Sequence, residues 1–179
     1  MILCEHSPDA IWGYYKCTNG RRTAVKSTSK MFYLAAALLV LSFGAKASVV
    51  INEMELNPPA GGADWVELYN AGNDSVDISG WTSTITDGSW QGKFPAVPAG
   101  TILPPLGFYV LNGQSSWNHD NGGYATLYSA SGEIVDKTAT RTDFLGNDFT
   151  YGRHPDGHDT NTDGDWGLGS ATKGTSNVR

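Results

Sequence analysis

Two alternating segments separated by a rigid turn constrain the fold of this chain more than any other feature of its sequence. Residues 49–59 read VVINEMELNPP, and residues 64–70 read DWVELYN. In the second segment Trp65 and Glu67 point to one side of an extended backbone, while the intervening residues point to the other. The prolines and glycines of residues 58–62 cannot continue either strand. The two segments therefore predict a β-hairpin that opens a sheet domain.

Short alternating segments separated by turn residues follow along the rest of the chain. Hairpin signals occur at Asp87-Gly88 and at residues 129–132, and no later stretch shows helical periodicity over about eleven residues. Residues 107–111 are the most apolar of the later segments, which predicts a central strand. Residues 148–153 are the last predicted strand, because the remainder is rich in glycine, aspartate and threonine. About eight or nine short strands predict an all-β sandwich or barrel.

Several of these segments resemble one known family in sequence and in order. The opening hairpin, with V-I-N-E-x-x-x-N-P-P followed by D-W-V-E-L-Y-N, is similar to the start of the lamin tail domain. Further matches follow at residues 76–81 (VDISGW), 107–111 (GFYVL), 131–136 (SGEIVD), 152–157 (GRHPDG) and 172–177 (TKGTSN). The resemblance covers residues 48–179, and it departs from the family pattern at Lys173, where a proline is usual.

The resemblance implies both a fold and a type of function. It implies an immunoglobulin-like β-sandwich, a fold found in nuclear lamins and in exported prokaryotic proteins. It also implies an exported, non-catalytic binding module that serves as a structural component of the cell surface or the extracellular matrix. The expected partner is a protein or glycan of the cell envelope or matrix. The sequence contains no heptad rod, so the filament role of lamins is not implied.

The first 47 residues carry the pattern of a secretory signal. They contain six Lys and Arg against two Asp and Glu, and an apolar run at residues 31–43 is followed by Ala45-Lys46-Ala47. This order predicts a signal core and cleavage site over residues 31–47, with the cut after Ala47. The apolar run has about 13 residues whereas a membrane span needs about 20, which favours a signal over an anchor. The mature chain is therefore expected outside the cytoplasm, with no transmembrane anchor.

Residues 1–30 allow two interpretations. Met31 could be the true start, which would make residues 1–30 a start-site artefact. Alternatively, Arg21 and Arg22 belong to a twin-arginine export motif within a long signal n-region. Both interpretations leave residues 48–179 as the exported β-sandwich domain.

The charge of the domain narrows the classes of partner. Residues 48–179 contain six Lys and Arg against sixteen Asp and Glu, a net charge of −10. Phosphate backbones repel an acidic domain, which argues against general nucleic-acid binding. Both cysteines, Cys4 and Cys17, precede this domain, so its stability must come from an apolar core rather than from disulfides.

A calcium site is predicted near the end of the domain. Residues 159–165 read DTNTDGD and match the D-x-[DN]-x-D-G pattern, in which alternate oxygen side chains converge on Ca²⁺. The predicted ligands are Asp159, Asn161, Asp163 and Asp165. The twelfth position is Ser170 rather than a bidentate glutamate, so weak binding is expected. A solvated acidic loop is the alternative structure, and a Ca²⁺-dependent adhesion or matrix protein is the alternative function.

Other residues with catalytic or binding chemistry form weaker patterns. No G-x-S-x-G motif occurs, and no catalytic residue is predicted. Glu53 and Glu67 are expected to be structural, bonding backbone groups or a base such as Arg153. A hydrolase that uses Glu53 or His119 is the alternative from a different class. Trp117 and His119 lie together in a polar loop, as at carbohydrate and protein contacts, and are the predicted binding residues.

Overall fold

A computed structural model describes residues 4–6, 15–17, 48–59, 62–114 and 122–178. The chain divides into two compact units, Met1–Gly44 and Ala45–Arg179. In the first unit, strand β1 (Cys4–His6) pairs antiparallel with strand β2 (Tyr15–Cys17). The predicted signal core and cleavage site fall outside the described residues. No helix in the described part of the chain is both long enough and apolar enough to span a membrane.

The described residues of the second unit form eleven strands and one 3-10 turn at Asp163–Asp165. In chain order, the strands are β3 (Val49–Glu55), β4 (Asp64–Asn70), β5 (Val76–Asp77), β6 (Thr82–Asp87), β7 (Trp90–Lys93), β8 (Ile102–Leu103), β9 (Phe108–Gln114), β10 (Gly123–Tyr128), β11 (Ile134–Lys137), β12 (Phe149–Arg153) and β13 (Trp166–Ser170). This number exceeds the eight or nine expected, partly because β5 and β8 have two residues each and are too short to show alternation.

The strands form an immunoglobulin-like β-sandwich, as expected. One sheet has the order β13-β12-β3-β4-β9, the other has the order β11-β10-β6-β7, and β5 pairs with β8 beside them. The predicted opening hairpin is present, because β3 pairs antiparallel with β4 from Val49 opposite Asn70 to Glu55 opposite Trp65. The apolar core lies between the two larger sheets. Its buried members include Ile51, Met54, Val66, Leu68, Ile85, Ala125 and Leu127.

Both faces of the five-stranded sheet are covered at its centre, since every residue of β3 and β4 is buried. One face packs on the four-stranded sheet through the core. The C-terminal segment, defined as residues 171–178, lies over the other face. A Cβ at position 152 would come within 2.8 Å of the Asn177 side chain, so the glycine of β12 allows the segment to approach this closely.

Two details of the strand prediction were wrong. Strand β9 is at the edge of its sheet rather than in the centre. Its apolar sequence reflects packing of its side chains, such as Phe108 against Tyr69 at 4.9 Å between ring centroids, and not two hydrogen-bonded neighbours. Strand β13 was missed altogether, because the sequence Trp-Gly-Leu-Gly-Ser gives little apolar alternation.

Candidate functional site

The first cluster of charged residues is centred on Arg153, at the end of β12. Only 2% of this residue is exposed. Its Nε donates to the Ile51 carbonyl oxygen at 2.7 Å, and its Nη1 donates to the His158 carbonyl oxygen at 2.9 Å. The guanidinium carbon lies 4.6 Å from the centroid of the Trp166 ring. A cation buried this deeply requires negative partners nearby.

Three carboxylates provide those partners. Asp136 Oδ2 lies 3.3 Å from Arg153 Nη2, while Asp159 Oδ1 and Asp165 Oδ2 lie 3.0 and 3.4 Å from Nη1. Asp136 comes from β11, and the two other aspartates come from the loop that precedes β13. The arginine therefore ties an edge strand of one sheet and a long loop to the other sheet. These four residues are called the arginine cluster below.

Asp136 also links the two sheets through the backbone. Its Oδ2 accepts from the Ile51 amide at 2.8 Å, and its Oδ1 accepts from the Lys137 amide at 2.7 Å. Burial raises the pKa of Asp136, while these amides and the charge of Arg153 oppose the rise. Asp136 was not singled out in the sequence. Strand alternation provides no signal for its burial, because it places Asp136 on the same side of β11 as Ile134, which is 64% exposed.

Asp165 organises the loop between β12 and β13. It accepts from the Thr160 amide at 2.7 Å, the Thr160 hydroxyl at 2.6 Å and the Thr162 amide at 3.3 Å. Burial acts to raise the pKa of Asp165. The hydrogen bonds from Thr160 and Thr162, together with the charge of Arg153, outweigh burial and lower the pKa to about 2. This carboxylate is thus a fixed negative charge at neutral pH.

The second cluster lies on the face of the five-stranded sheet that the C-terminal segment covers. Glu53 and Glu67 are directly opposite each other on β3 and β4, and both are fully buried. Glu53 accepts from the Thr172 amide and the Thr172 hydroxyl, each at 2.9 Å. Glu67 accepts from the Gly174 amide at 2.5 Å. Both glutamates therefore bind the C-terminal segment, and the prediction that they bond backbone groups is confirmed.

Neither glutamate pairs with Arg153 through any described contact, so the predicted arginine partner was wrong. Arg153 instead pairs with aspartates. Alternation explains the difference: Arg153 and Tyr151 lie on the core side of β12, while Thr150 lies on the opposite side and donates its hydroxyl to Glu53. Glu67 has no basic partner among the described contacts. Burial raises the pKa of Glu67 to about 7, against hydrogen bonds from Gly174 and Asn52.

Asn52 and Asp156 extend this second cluster to the end of the chain. The register of β3 and β4 shifts at Asn52, and the side chain of this residue reaches both Glu67 Oε1 at 3.3 Å and Asp156 Oδ1 at 3.0 Å. Asp156 Oδ1 in turn accepts from the Asn177 amide at 3.0 Å. The Asn177 side chain donates to the Asn52 and Arg153 carbonyl oxygens at 3.1 and 3.0 Å. No sequence pattern indicates a bulge at Asn52, so these contacts were not predicted.

Glu55 is the third buried carboxylate on this face. Its Oε1 accepts from the Asn57 amide at 2.9 Å, while its Oε2 has no hydrogen-bond partner. Burial raises the pKa of Glu55 to about 7, and the neighbouring charges of Asp143, Asp148 and Asp64 act in the same direction. Glu53, Glu55 and Glu67 are called the glutamate cluster below.

A comparison with known protein families now identifies the domain. The family described as Lamin Tail Domain matches residues 43–142. This chain belongs to the lamin tail domain family. The sequence resemblance is thereby confirmed, and the family is one of non-catalytic immunoglobulin-like domains that act as binding or structural modules. No curated protein matches the chain.

The matched region ends before the last two strands of the sandwich. Strands β12 and β13, the loop with Asp159 and Asp165, and the C-terminal segment all follow residue 142. The arginine cluster therefore combines one matched residue, Asp136, with later ones. The glutamate cluster lies inside the match, whereas the Thr172 and Gly174 amides that Glu53 and Glu67 bind lie beyond it.

The four predicted calcium ligands do not converge on one point. Asp159 and Asp165 both face Arg153, whereas Asp163 pairs with Arg141 at 3.0 Å, and its side chain is 80% exposed. Asn161 has a positive φ of 58°. Across residues 48–59, 62–114 and 122–178, no group of three His, Cys, Asp or Glu side chains is arranged to hold a metal ion. Calcium binding stays a prediction. The guanidinium of Arg153 already pairs with two of the four predicted ligands.

The predicted binding residues Trp117 and His119 lie outside the described residues, so their role stays a prediction. Two other histidines of the domain are described. His158 Nε2 lies 3.6 Å from Asp165 Oδ1 with its side chain 47% exposed, and the His154 amide donates to the Asp165 carbonyl oxygen at 2.9 Å. The second contact attaches the loop to the end of β12, and the first lies within the loop.

Proposed function

We propose that this protein is an exported, non-catalytic binding module whose lamin tail domain attaches to a protein or glycan of the cell envelope or the extracellular matrix. Family membership supports a binding or structural module. The observation that carries the non-catalytic part is the use of the charged side chains. Arg153, Asp165, Glu53 and Glu67 are buried and hydrogen-bonded to other parts of the same domain. A catalytic acid or base has to contact a substrate, whereas these groups are bonded to other parts of the same domain.

Export is supported by the order of charge and hydropathy at the start of the chain. A basic segment, a short apolar run and the Ala45-Lys46-Ala47 sequence precede an acidic domain. The first described residue of the domain is Ser48, whose carbonyl oxygen accepts from the Ala71 amide at 2.6 Å. Cleavage after Ala47 would therefore leave the hydrogen bonds among the described residues of the sandwich intact.

N-terminal sequencing tests the export proposal. The full coding sequence is expressed in a bacterial host, and the protein is collected from the medium and from the envelope fraction. The expected N-terminus is Ser48, in a chain that lacks both cysteines. Recovery only from the cytoplasm, or an extracytoplasmic protein that still carries residues 1–30, would contradict the proposal.

Saturable binding to isolated cell envelopes tests the module itself. The purified protein is titrated against envelopes and the bound fraction is measured by sedimentation of the membranes. An unrelated folded protein of similar size and net charge serves as the control for non-specific adsorption. Pretreatment of the envelopes with protease or with glycan-degrading enzymes separates a protein partner from a glycan partner. Equal adsorption of the native protein and the control would contradict the proposed binding role.

The rival hydrolase is tested on the same preparation. Glu53→Gln removes the carboxylate that this hypothesis uses. Turnover of any ester, peptide or glycoside substrate that disappears in a folded Glu53→Gln protein would establish an enzyme instead. The proposal predicts no such activity in either protein.

A further inference from the structure

Strand β13 is the edge of the five-stranded sheet, and one side of its backbone is open. It pairs with β12 without a register shift, and no strand pairs with it on the other side within the described residues. The His154 amide bonds the Asp165 carbonyl oxygen, and the Ala171 amide bonds the Asp148 carbonyl oxygen. Hydrogen-bonded pairs in an antiparallel ladder recur at every second residue. The N–H and C=O groups of Trp166, Leu168 and Ser170 therefore face away from β12, although the Trp166 N–H already donates to the Asp163 carbonyl oxygen of the 3-10 turn.

The other three edges of the two larger sheets each carry a lysine. Lys93 ends β7, Lys137 ends β11, and Lys173 lies against β9, where its Nζ donates to Asn112 Oδ1 at 2.5 Å. Lysine on an edge strand discourages pairing with another chain. Strand β13 has the sequence Trp-Gly-Leu-Gly-Ser and contains neither a charge nor a proline. It is the one edge of these sheets without this protection in the described structure.

Apolar side chains surround this open edge. Leu168 is 58% exposed and Phe149 is 46% exposed. Phe149 is opposite Ser170 and Tyr151 is opposite Leu168, so Phe149 and Leu168 are diagonal neighbours on one face of the sheet. Phe144 and Leu145, in the segment just before β12, are also exposed. An open backbone edge next to exposed apolar side chains is the arrangement that strand addition uses.

We propose that β13 pairs antiparallel with β13 of a second copy of this chain, about a two-fold axis at Leu168. The sequence Gly-Leu-Gly is symmetric about that residue, and the outward-facing groups are spaced symmetrically as well. Leu168 would form a hydrogen-bonded pair with Leu168 of the second copy, and the Ser170 N–H of each copy would donate to the Trp166 carbonyl oxygen of the other. The two five-stranded sheets then continue into one sheet. A two-fold contact of this kind satisfies both edges at once and closes the assembly.

The same geometry explains why the occupant is a second copy. A two-fold axis makes the interface self-complementary, because the two outward donors that remain, the N–H groups of Leu168 and Ser170, each meet an outward carbonyl oxygen of the second copy. The glycines on either side of Leu168 point to the opposite face and leave the approach unobstructed there. The net charge of −10 over residues 48–179 opposes association, so added salt should strengthen the dimer. This inference does not depend on the proposed function, since a dimer and an envelope partner are measured separately.

Sedimentation velocity over a range of concentrations tests the proposal, on the full chain and on three variants. Leu168→Lys places two like charges on the proposed axis, and Leu168→Pro removes the outward N–H while leaving the bonds to β12. Ile134→Lys is the matched control, because Ile134 is a similarly exposed apolar residue on the edge strand β11. The wild type and Ile134→Lys are expected to dimerise, and both Leu168 variants are expected to stay monomeric. Circular dichroism confirms that each variant is folded.

Amide hydrogen exchange provides the second measurement, because it reports on the backbone groups themselves. In the wild type, the Leu168 amide should exchange more slowly at high protein concentration. In Leu168→Lys, the exchange rates of the neighbouring outward amides should not depend on protein concentration. A monomer at all concentrations would overturn the proposal. A dimer that survives in the folded Leu168→Lys protein, or one that Ile134→Lys also abolishes, would overturn it as well.

Discussion

Two buried carboxylates, Asp165 of the arginine cluster and Glu67 of the glutamate cluster, have pKa values shifted in opposite directions. Asp165 and Glu67 are both buried and both accept backbone amide hydrogens. The pKa of Asp165 is lowered to about 2, whereas burial raises the pKa of Glu67 to about 7. The main differences are the hydrogen bonds from Thr160 and Thr162 and the nearby guanidinium of Arg153 on the Asp165 side. Burial alone therefore does not decide the charge of a carboxylate.

Both clusters attach segments that lie outside the strands to the sheets. The arginine cluster attaches the loop before β13 to both sheets, and the glutamate cluster attaches the C-terminal segment to the face of one sheet. In each case acidic side chains bind backbone that has no strand partner. Charged groups that are bonded within the domain in this way are not free to bind a ligand. Recognition by this domain is therefore expected at exposed loops and edges.

Removing the cation of the arginine cluster should have the largest effect. Arg153→Met leaves Asp136 and Asp165 buried without their positive partner. A buried pair broken in this way typically costs about 3–5 kcal/mol. The free energy of unfolding, measured by urea denaturation at neutral pH, should fall by an amount in that range.

Arg141 supplies the matched control for that substitution. It pairs with Asp163 at 3.0 Å, and the Asp163 side chain is largely exposed. Arg141→Met should therefore cost no more than about 1 kcal/mol, the range of surface ion pairs. Similar losses of stability in the two variants would show that the arginine cluster contributes no more than a surface ion pair does.

Weakening the attachment of the C-terminal segment should have an intermediate effect. Asn177→Ala removes the donors to the Asn52 and Arg153 carbonyl oxygens. Partly buried groups left unpaired cost about 1–3 kcal/mol. Thr175→Ala is the control, because its hydroxyl makes an exposed bond to the Thr172 carbonyl oxygen. A loss at Asn177 no greater than the loss at Thr175 would mean that the segment is not held as described.

Added calcium should have the smallest effect. The sequence motif predicts a weak site, but Arg153 already neutralises Asp159 and Asp165. We expect the same melting temperature in millimolar Ca²⁺ and in EDTA. A Ca²⁺-dependent rise that Asp163→Ala removes would establish the calcium site and contradict this expectation. It would also favour the Ca²⁺-dependent adhesion function.

The sequence predicted the fold because its strongest signals are local. The alternation of residues 49–59 and 64–70 predicted the β3–β4 hairpin, and the ordered motifs predicted the family. The use of Glu53 and Glu67 to bond backbone was also predictable, since buried carboxylates need donors.

The rest depends on contacts between residues far apart in the chain. Asp136 and Arg153 meet only after two sheets have packed, and neither position has a sequence pattern that names its partner. The loop of residues 159–165 is a further example, because its alternate oxygens resemble those of a calcium loop. Two of these oxygens instead face an arginine that lies six residues or more away in sequence. Strand β13 was missed because its glycines carry no side chains to alternate.

The pH dependence of stability tests the central difference between the two clusters most directly. A glutamate whose pKa rises from 4.5 in the unfolded chain to about 7 in the folded domain binds more protons when folded. Its contribution is therefore fully present below pH 4.5 and is lost as the pH rises to about 7. Asp165 behaves in the opposite sense, because its contribution is present above pH 3.8 and is lost only as the pH falls toward about 2.

The measurement is the free energy of unfolding of the wild type and of Glu67→Gln between about pH 4.5 and pH 8, the interval in which the glutamate titrates and Asp165 does not. Glutamine cannot titrate, so subtraction of the two profiles isolates Glu67 from the histidines. The predicted result is a wild-type stability that falls relative to Glu67→Gln as the pH rises through the interval and then levels off. Parallel profiles, or a wild type that gains stability relative to the variant as the pH rises, would contradict the account.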